Sequence, residues 1–348
     1  MPHVMHQNTS LRAERSKPGT LAPVALDCFV AALLAMTATL VLSPAAQAER
    51  IFVSNEKDNT ITVLDAQSLA ITKTIKVGAR PRAILTSVDG KSLYVCASDA
   101  DRLEIIDLAT LAVTGTLPSG PDPERFATTP DGKTLYVANE NDNKVSAVDV
   151  ASGKIVAEVP VGIEPEGMGM SPDGKTVVDT TETTSMAHFI DTATNKLVAN
   201  VLVDSRPRVA TWTPDGTQVW VSAEVGGSVS VIDAASHKIV QKIHFSVPGL
   251  TSGQAQAVDV KITKDGKTAF VALGPANRVA VIDAKSYEVK QYILVGQRVW
   301  NMAFSLDEKR LYTANGVSND ITVIDVGDLK AVKSVPVGRS PWGIAVAQ

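Results

Sequence analysis

The stretch PDGKTLYVANENDNKVSAVDVASGKIVAEVPVGIEPEGM, residues 130–168, contains the unit from which the chain is built. Pro130-Asp131-Gly132-Lys133 reads as a tight turn: Pro presets φ, Asp bonds local backbone, and Gly takes the positive φ. Thr134 to Asn139 (TLYVAN) and Lys144 to Asp149 (KVSAVD) are runs of β-formers on either side of the polar loop Glu140-Asn141-Asp142-Asn143. Asp149 opens a turn that ends at Gly153, its carboxylate placed to accept from N–H groups two or three residues on. Lys154 to Val161 alternates and is more polar, as an outer edge strand should be. Gly162 to Pro165 crosses to the next unit, where EGMGMS (Glu166 to Ser171) is an innermost strand of small residues that can crowd around an axis.

The unit recurs along the chain. Asp65, Asp107, Asp149, Asp191, Asp233, Asp283 and Asp325 each end a β-forming run, with gaps of 42, 42, 42, 42, 50 and 42 residues. A period of about 40–45 residues with several strands per unit predicts an all-β, seven-bladed β-propeller of four-stranded antiparallel blades. The Asp-Gly turn, or its relic, occurs six times, at Asp89, Asp131, Asp173, Asp215, Asp265 and Asp307. One innermost strand is therefore missing from the first blade. Pro341 to Ala347 (PWGIAVA) has the right form, so the C-terminal strand is expected to join the blade begun at Arg50 and close the ring.

Residues 1–48 stand outside the repeat and read as a cleaved secretory signal peptide. Arg12, Arg15 and Lys17 precede a 13-residue apolar stretch, Val30 to Leu42, and Ala46-Gln47-Ala48 supplies a small-residue cleavage site. The competing reading is an uncleaved membrane anchor, but the run is short for a span of about 20 residues. Residues 49–348 are then a single propeller domain. Without the leader, 30 Lys and Arg face 35 Asp and Glu, which gives no reason to expect nucleic-acid binding. Cys96 is the only cysteine left, so no intrachain disulfide can form, and an exported chain without disulfides suits a bacterial periplasm.

LYVAN (Leu135 to Asn139), FVSN (Phe52 to Asn55), LYTAN (Leu311 to Asn315) and LYVCA (Leu93 to Ala97) resemble the motif of the YVTN family of β-propeller repeats. The V-I-D and V-G-x-x-P elements that follow are similar too. More narrowly, the chain resembles the propellers associated with pyrroloquinoline quinone (PQQ)-dependent catabolism. That resemblance implies a periplasmic accessory of quinoprotein alcohol oxidation, with a quinoprotein dehydrogenase or cytochrome as partner. Blade four departs from the motif, with VVDTT (Val177 to Thr181) in place of LYVAN.

Positions repeated in every copy serve what every blade needs, which is folding, so the repeated aspartates read as turn residues. Function is expected where the copies differ. The blade-to-blade crossings give Arg80-Pro-Arg82, Asp122-Pro-Glu124, Glu164-Pro-Glu166, Arg206-Pro-Arg208, Arg298-Val-Trp300 and Ser340-Pro-Trp342 around the channel mouth. Eight extra residues, within Ser246 to Gln256, fall on the same face. Two readings compete. In one, the rim charges pair across neighbouring blades and keep the mouth solvated. In the other, Arg80, Arg82, Arg206, Arg208 and Arg298 bind a carboxylate or phosphate, with Trp300 and Trp342 as anchors.

Other chemistry is sparse. His188, His237 and His244 fall on a third strand, an outer turn and an outer strand, so a shared metal site is not expected. No C-x-x-C-H, G-x-S-x-G, P-loop or H-E-x-x-H occurs. No catalytic residue, metal or cofactor is assigned. The sequence thus points to a monomeric, non-enzymatic periplasmic binding or scaffold protein, contacting a protein partner or a small anionic ligand. The alternative is a metal-assisted, lactonase-like hydrolase using an acidic mouth of Asp122, Glu124, Glu164 and Glu166.

Overall fold

Four antiparallel strands per blade, seven times over, arrange the chain around a central channel. The computed structural model describes residues 48–348. The leader reading, including its apolar stretch and cleavage site, falls outside the described residues apart from Ala48. In the third blade the strands are, from the axis outward, Pro123–Thr128, Thr134–Asn139, Lys144–Asp149 and Lys154–Pro160. The first blade takes its inner strand from the other end of the chain. Pro341–Ala347 pairs antiparallel with Arg50–Asn55, in the register Arg50 to Ala347, Phe52 to Ala345 and Asn55 to Pro341. The ring is closed as the repeat count requires.

The two middle strands of each blade are buried on both faces, while the outer strands expose all but a few residues. Hydrophobic clusters lie between adjacent blades. One joins Ile51, Val53 and Leu64 of the first blade to Tyr312, Ala314 and Ile321 of the seventh, so the closing seam has the same kind of core as the others. Each pairing of a third strand with its outer strand carries a register shift at the same place, for example Ala147/Val148 and Phe189/Ile190. Such bulges twist an exposed edge away from pairing with another chain.

All seven repeated aspartates cap the turn that follows them. Their Oδ1 atoms accept the N–H three residues on, as in Asp65 to Ser68 (2.7 Å), Asp191 to Thr194 (2.8 Å) and Asp325 to Asp328 (2.7 Å). The Asp-Gly turns work similarly: Asp131 Oδ1 accepts from Thr129 Oγ1 (2.7 Å) and from Lys133 N (3.1 Å). The inner strands crowd most tightly at blade four, where a Cβ on Gly169 would sit 2.2 Å from the Ala210 carbonyl oxygen of the next blade.

Candidate functional site at the channel mouth

The mouth is built by a backbone clamp that repeats with the blades. Six crossing residues adopt the left-handed conformation: Arg80, Asp122, Glu164, Arg206, Arg298 and Ser340, with φ from 51 to 60°. For five of them the N–H donates to a side-chain oxygen at the end of a loop in the blade being left. The acceptors are Asn59, Asp101, Asn143, Asn277 and Asn319, at 2.8–3.2 Å. The crossing carbonyls accept from the loop of the blade being entered. Glu56 N donates to Ser340 O (3.0 Å), Glu140 N to Asp122 O (2.9 Å), Glu182 N to Glu164 O (2.9 Å) and Glu224 N to Arg206 O (2.8 Å). A glutamate is thereby delivered beside the crossing charges in four blades.

Three of these glutamates, Glu56, Glu182 and Glu224, which the sequence reading did not single out, pair with mouth arginines. In one sector the buried Glu124 lies between Arg80 and Arg82, each at 3.1 Å. Arg80 also pairs with Asp99 (2.6 Å) and Asp122, and Arg82 with Glu56 (3.5 Å). In the neighbouring sector Arg208, with 5% of its side chain exposed, pairs with Glu166 (2.8 Å), Glu182 and Glu224 (3.7 Å). Arg206 reaches Glu182 (2.8 Å) and Glu224 (3.2 Å) but leaves 49% of its side chain exposed. Arg298 pairs with Glu224 at 2.5 Å. Each of the five arginines therefore has at least one carboxylate partner. Arg206 is the most exposed of them, followed by Arg298 and Arg80.

The tryptophans stack on the same charges. Arg298 and Arg208 lie 4.1 and 5.5 Å from the Trp300 ring, and Arg82 and Arg125 lie 5.0 and 4.7 Å from that of Trp342. Trp342 is 1% exposed, so it is a packed element of the channel wall and not an exposed anchor. Trp300 keeps some exposure.

Burial and crowded charge shift several carboxyls. Glu182 is pushed up to about 7 by burial, with Glu166 adding to the rise and Arg208 and Arg206 opposing it. Burial drives Glu124 well above its ordinary value against the pull of Arg82 and Arg80. Burial also acts to raise Glu166, but Arg208, Arg82 and Arg125 hold its carboxyl below the usual range. Asp179, in the blade-four strand that departs from the motif, is fully buried with no hydrogen bond to either side-chain oxygen. Burial and the neighbouring Glu166 push it well up.

The acidic residues of the mouth are already engaged by arginines and a hydroxyl. Asp122, Glu124 and Glu140 could converge on one ion, but the Arg80 guanidinium already bridges Asp122 and Glu124. Glu166 belongs to Arg208, and Glu164 accepts from the Thr183 hydroxyl. The four expected acidic residues are thus divided between two sectors, each neutralised by arginine. His188 is equally committed. Its Nε2 accepts from Gly162 N (3.1 Å), which leaves Nδ1 to donate to Asn200 Oδ1 (2.6 Å). Cys96 is buried and its thiol is raised by that burial, so it is a core residue.

The family model for the lactonase, seven-bladed β-propeller family matches residues 40–170 and 168–343. The chain belongs to this family. Comparison with curated protein sequences found no match. Among solved structures, this lactonase-family propeller is similar to Kuenenia stuttgartiensis hydrazine synthase, at 23% identity and a TM-score of 0.72 over 79% of this chain and 92% of that one. It is similar to a proposed 6-phosphogluconolactonase from Bacteroides uniformis, at 17% identity and a TM-score of 0.72 over 86% and 100%. A third likeness is to the dihydro-heme d1 dehydrogenase NirN in complex with DHE, at 16% identity and a TM-score of 0.65 over 85% and 74%. At these identities the structural likenesses establish the fold alone.

Proposed function

We propose that this lactonase-family chain opens a lactone ring by hydrolysis at the channel mouth, without a metal. The observation that carries this reading is Glu182, a buried carboxyl raised to about 7 beside the half-exposed Arg206. A carboxyl with a pKa near the working pH is matched to both halves of proton transfer. As carboxylate, Glu182 takes a proton from water as the oxygen attacks the lactone carbonyl. Arg206 and Arg298 face the oxyanion that forms. When the ring C–O bond breaks, the proton passes from Glu182 to the departing alkoxide, and the hydroxy acid so formed gives its carboxyl proton to solvent and leaves as the carboxylate, past the arginines. Atoms balance as lactone plus water. Turnover on a panel of γ- and δ-lactones is expected, and Glu182→Gln should lower kcat about 10²–10⁴-fold, the usual worth of general acid–base catalysis. The wild-type rate should rise with pH through a midpoint near 7. Absence of turnover across the panel would reject the reading.

The ion-pair closure of the mouth favours a second reading, the non-enzymatic one. Every mouth arginine already has a carboxylate partner, which leaves a rim suited to a complementary protein surface. On this reading, which the YVTN-like repeat and the leader-like N-terminus support, the chain is a periplasmic accessory of PQQ-dependent alcohol oxidation that docks a quinoprotein dehydrogenase or cytochrome. Co-purification of such a partner from the periplasmic fraction, together with no lactone turnover, would select this reading over the hydrolase.

A further inference from the structure

Below the mouth the channel is crossed by one side chain. Arg125, third residue of the third blade's inner strand, sends Nη2 to Asn301 Oδ1 of the seventh blade at 2.6 Å. Asn301 is itself fixed, its Nδ2 donating to the Trp342 carbonyl at 2.8 Å. Between this crossbar and the ends of the inner strands at Thr86, Phe304 and Val346 lies a cavity of about 400 Å³. It reaches toward the face with the Asp-Gly turns, away from the mouth. Three further strand residues at about 3.3 Å each give it a depth on the order of 10 Å. Its walls are mainly apolar, including Leu85, Phe126, Met168, Met302 and Ile344.

Arg125 is anomalous among the charges near the axis. Among the described residues it makes no ion pair, and its Nε is buried with no hydrogen-bond partner. The nearby carboxylates are committed to other donors. Asp259 accepts from Lys261 Nζ (3.0 Å) and Met302 N (2.8 Å), Glu124 is held by Arg80 and Arg82, and Glu166 by Arg208. The indole Nε1 of Trp342, in the same wall, is also without a partner. Lys261, two residues further down a facing inner strand, lines the cavity as well. Arg125 is half-buried, held by Asn301 and stacked on the Trp342 ring, and among the described residues no carboxylate contacts its charge, a state that an added anion would complete. A pocket with a mostly apolar wall that ends in a guanidinium lacking a carboxylate partner has the shape and chemistry of a site for an acid with a short hydrocarbon tail.

We propose that the lower channel binds an aliphatic monocarboxylate, its head on Arg125 with Lys261 alongside and its chain against the apolar wall. The site is separate from the mouth and does not depend on what the mouth does.

Hexanoate is the probe, measured by isothermal titration calorimetry on the purified protein. Hexanoate should bind, with acetate and hexanol weaker by about tenfold or more, since each lacks one half of the recognition. Arg125→Met should lose binding by a similar factor while Arg206→Ala, at the mouth, leaves it unchanged. Thr211→Trp, which fills the cavity without touching the guanidinium, should also block binding. It serves as the deciding variant if Arg125→Met does not fold. No binding of hexanoate, equal binding of hexanol, undiminished binding by folded Arg125→Met or Thr211→Trp, or loss in Arg206→Ala would each overturn the proposal.

Discussion

Asp179 stands where the other blades carry Val53, Val95, Val137, Val221, Val271 and Thr313. Its side chain has no hydrogen bond, no cation pairs with it, and Glu166 adds to the cost of charging it. A buried polar group left unsatisfied costs roughly 1–3 kcal/mol. Asp179→Val, restoring the residue of the neighbouring repeats, should therefore stabilise the fold by about that amount in urea unfolding. Because the folded state keeps the Asp179 proton while the unfolded chain releases it above its ordinary pKa, the gain should be larger at pH 7 than at pH 4. A destabilised variant would mean that Asp179 has a partner or a structural task that the side-chain geometry does not disclose. Local rule-breaking of this kind concentrates at functional sites, and Asp179 lies in register with Met168 and His188, close behind the mouth glutamates.

At the level of elements, the closing strand carries the most consequence. Pro341–Ala347 supplies a blade's inner strand, Trp342 and Ile344, and part of two interblade clusters. Losing one large buried side chain costs about 2–5 kcal/mol, against a total stability of only about 5–15 kcal/mol. Truncation after Ser340 should abolish the cooperative thermal transition seen by circular dichroism, and Ile344→Ala alone should lower stability by about 2–5 kcal/mol. A truncated chain melting like the intact one would rule out closure by this strand. The blade count, the borders of the middle strands and this closure were all legible in the sequence, because turn chemistry is local and repeats: Asp131-Gly132 and Asp149 do their work within five residues. The pairing of the mouth was not legible. Arg206 meets Glu182 and Glu224 only after the crossings stack blade on blade, and Arg125 meets Asn301 across 176 residues. A signal was nonetheless present. Glu140, Glu182 and Glu224 recur at the 42-residue spacing directly after the second strand, on the same variable face as the arginines.

For the molecule as a whole, two populations of acids set opposite pH dependences. The turn aspartates, such as Asp65, Asp131, Asp265 and Asp307, are held low by hydrogen bonds from their own turns, with Asp265 and Asp307 at about 2. Their contribution is present above the unfolded carboxyl value and is lost as pH falls through the folded one. They sit at the surface, so each contributes little, but the turns are repeated around the ring. Three acids at or just behind the mouth behave the other way. Glu124, Asp179 and Glu182 are raised, chiefly by burial, so folding takes up protons wherever the unfolded chain would have released them. The stability they support is complete below the ordinary carboxyl range and declines as pH climbs, through about 7 in the case of Glu182. The two trends cross in mildly acidic solution. A series of melts should therefore show the highest Tm between about pH 4 and 6, a steep fall below it and a slower decline toward pH 8. The alkaline limb should flatten in a Glu182→Gln, Asp179→Val double variant, which removes two of the three raised acids at the mouth, while the acid limb stays. A flat profile from pH 5 to 8 in the wild-type chain would show that the arginines fully compensate these carboxylates, and would remove the titrating glutamate on which the hydrolytic reading depends.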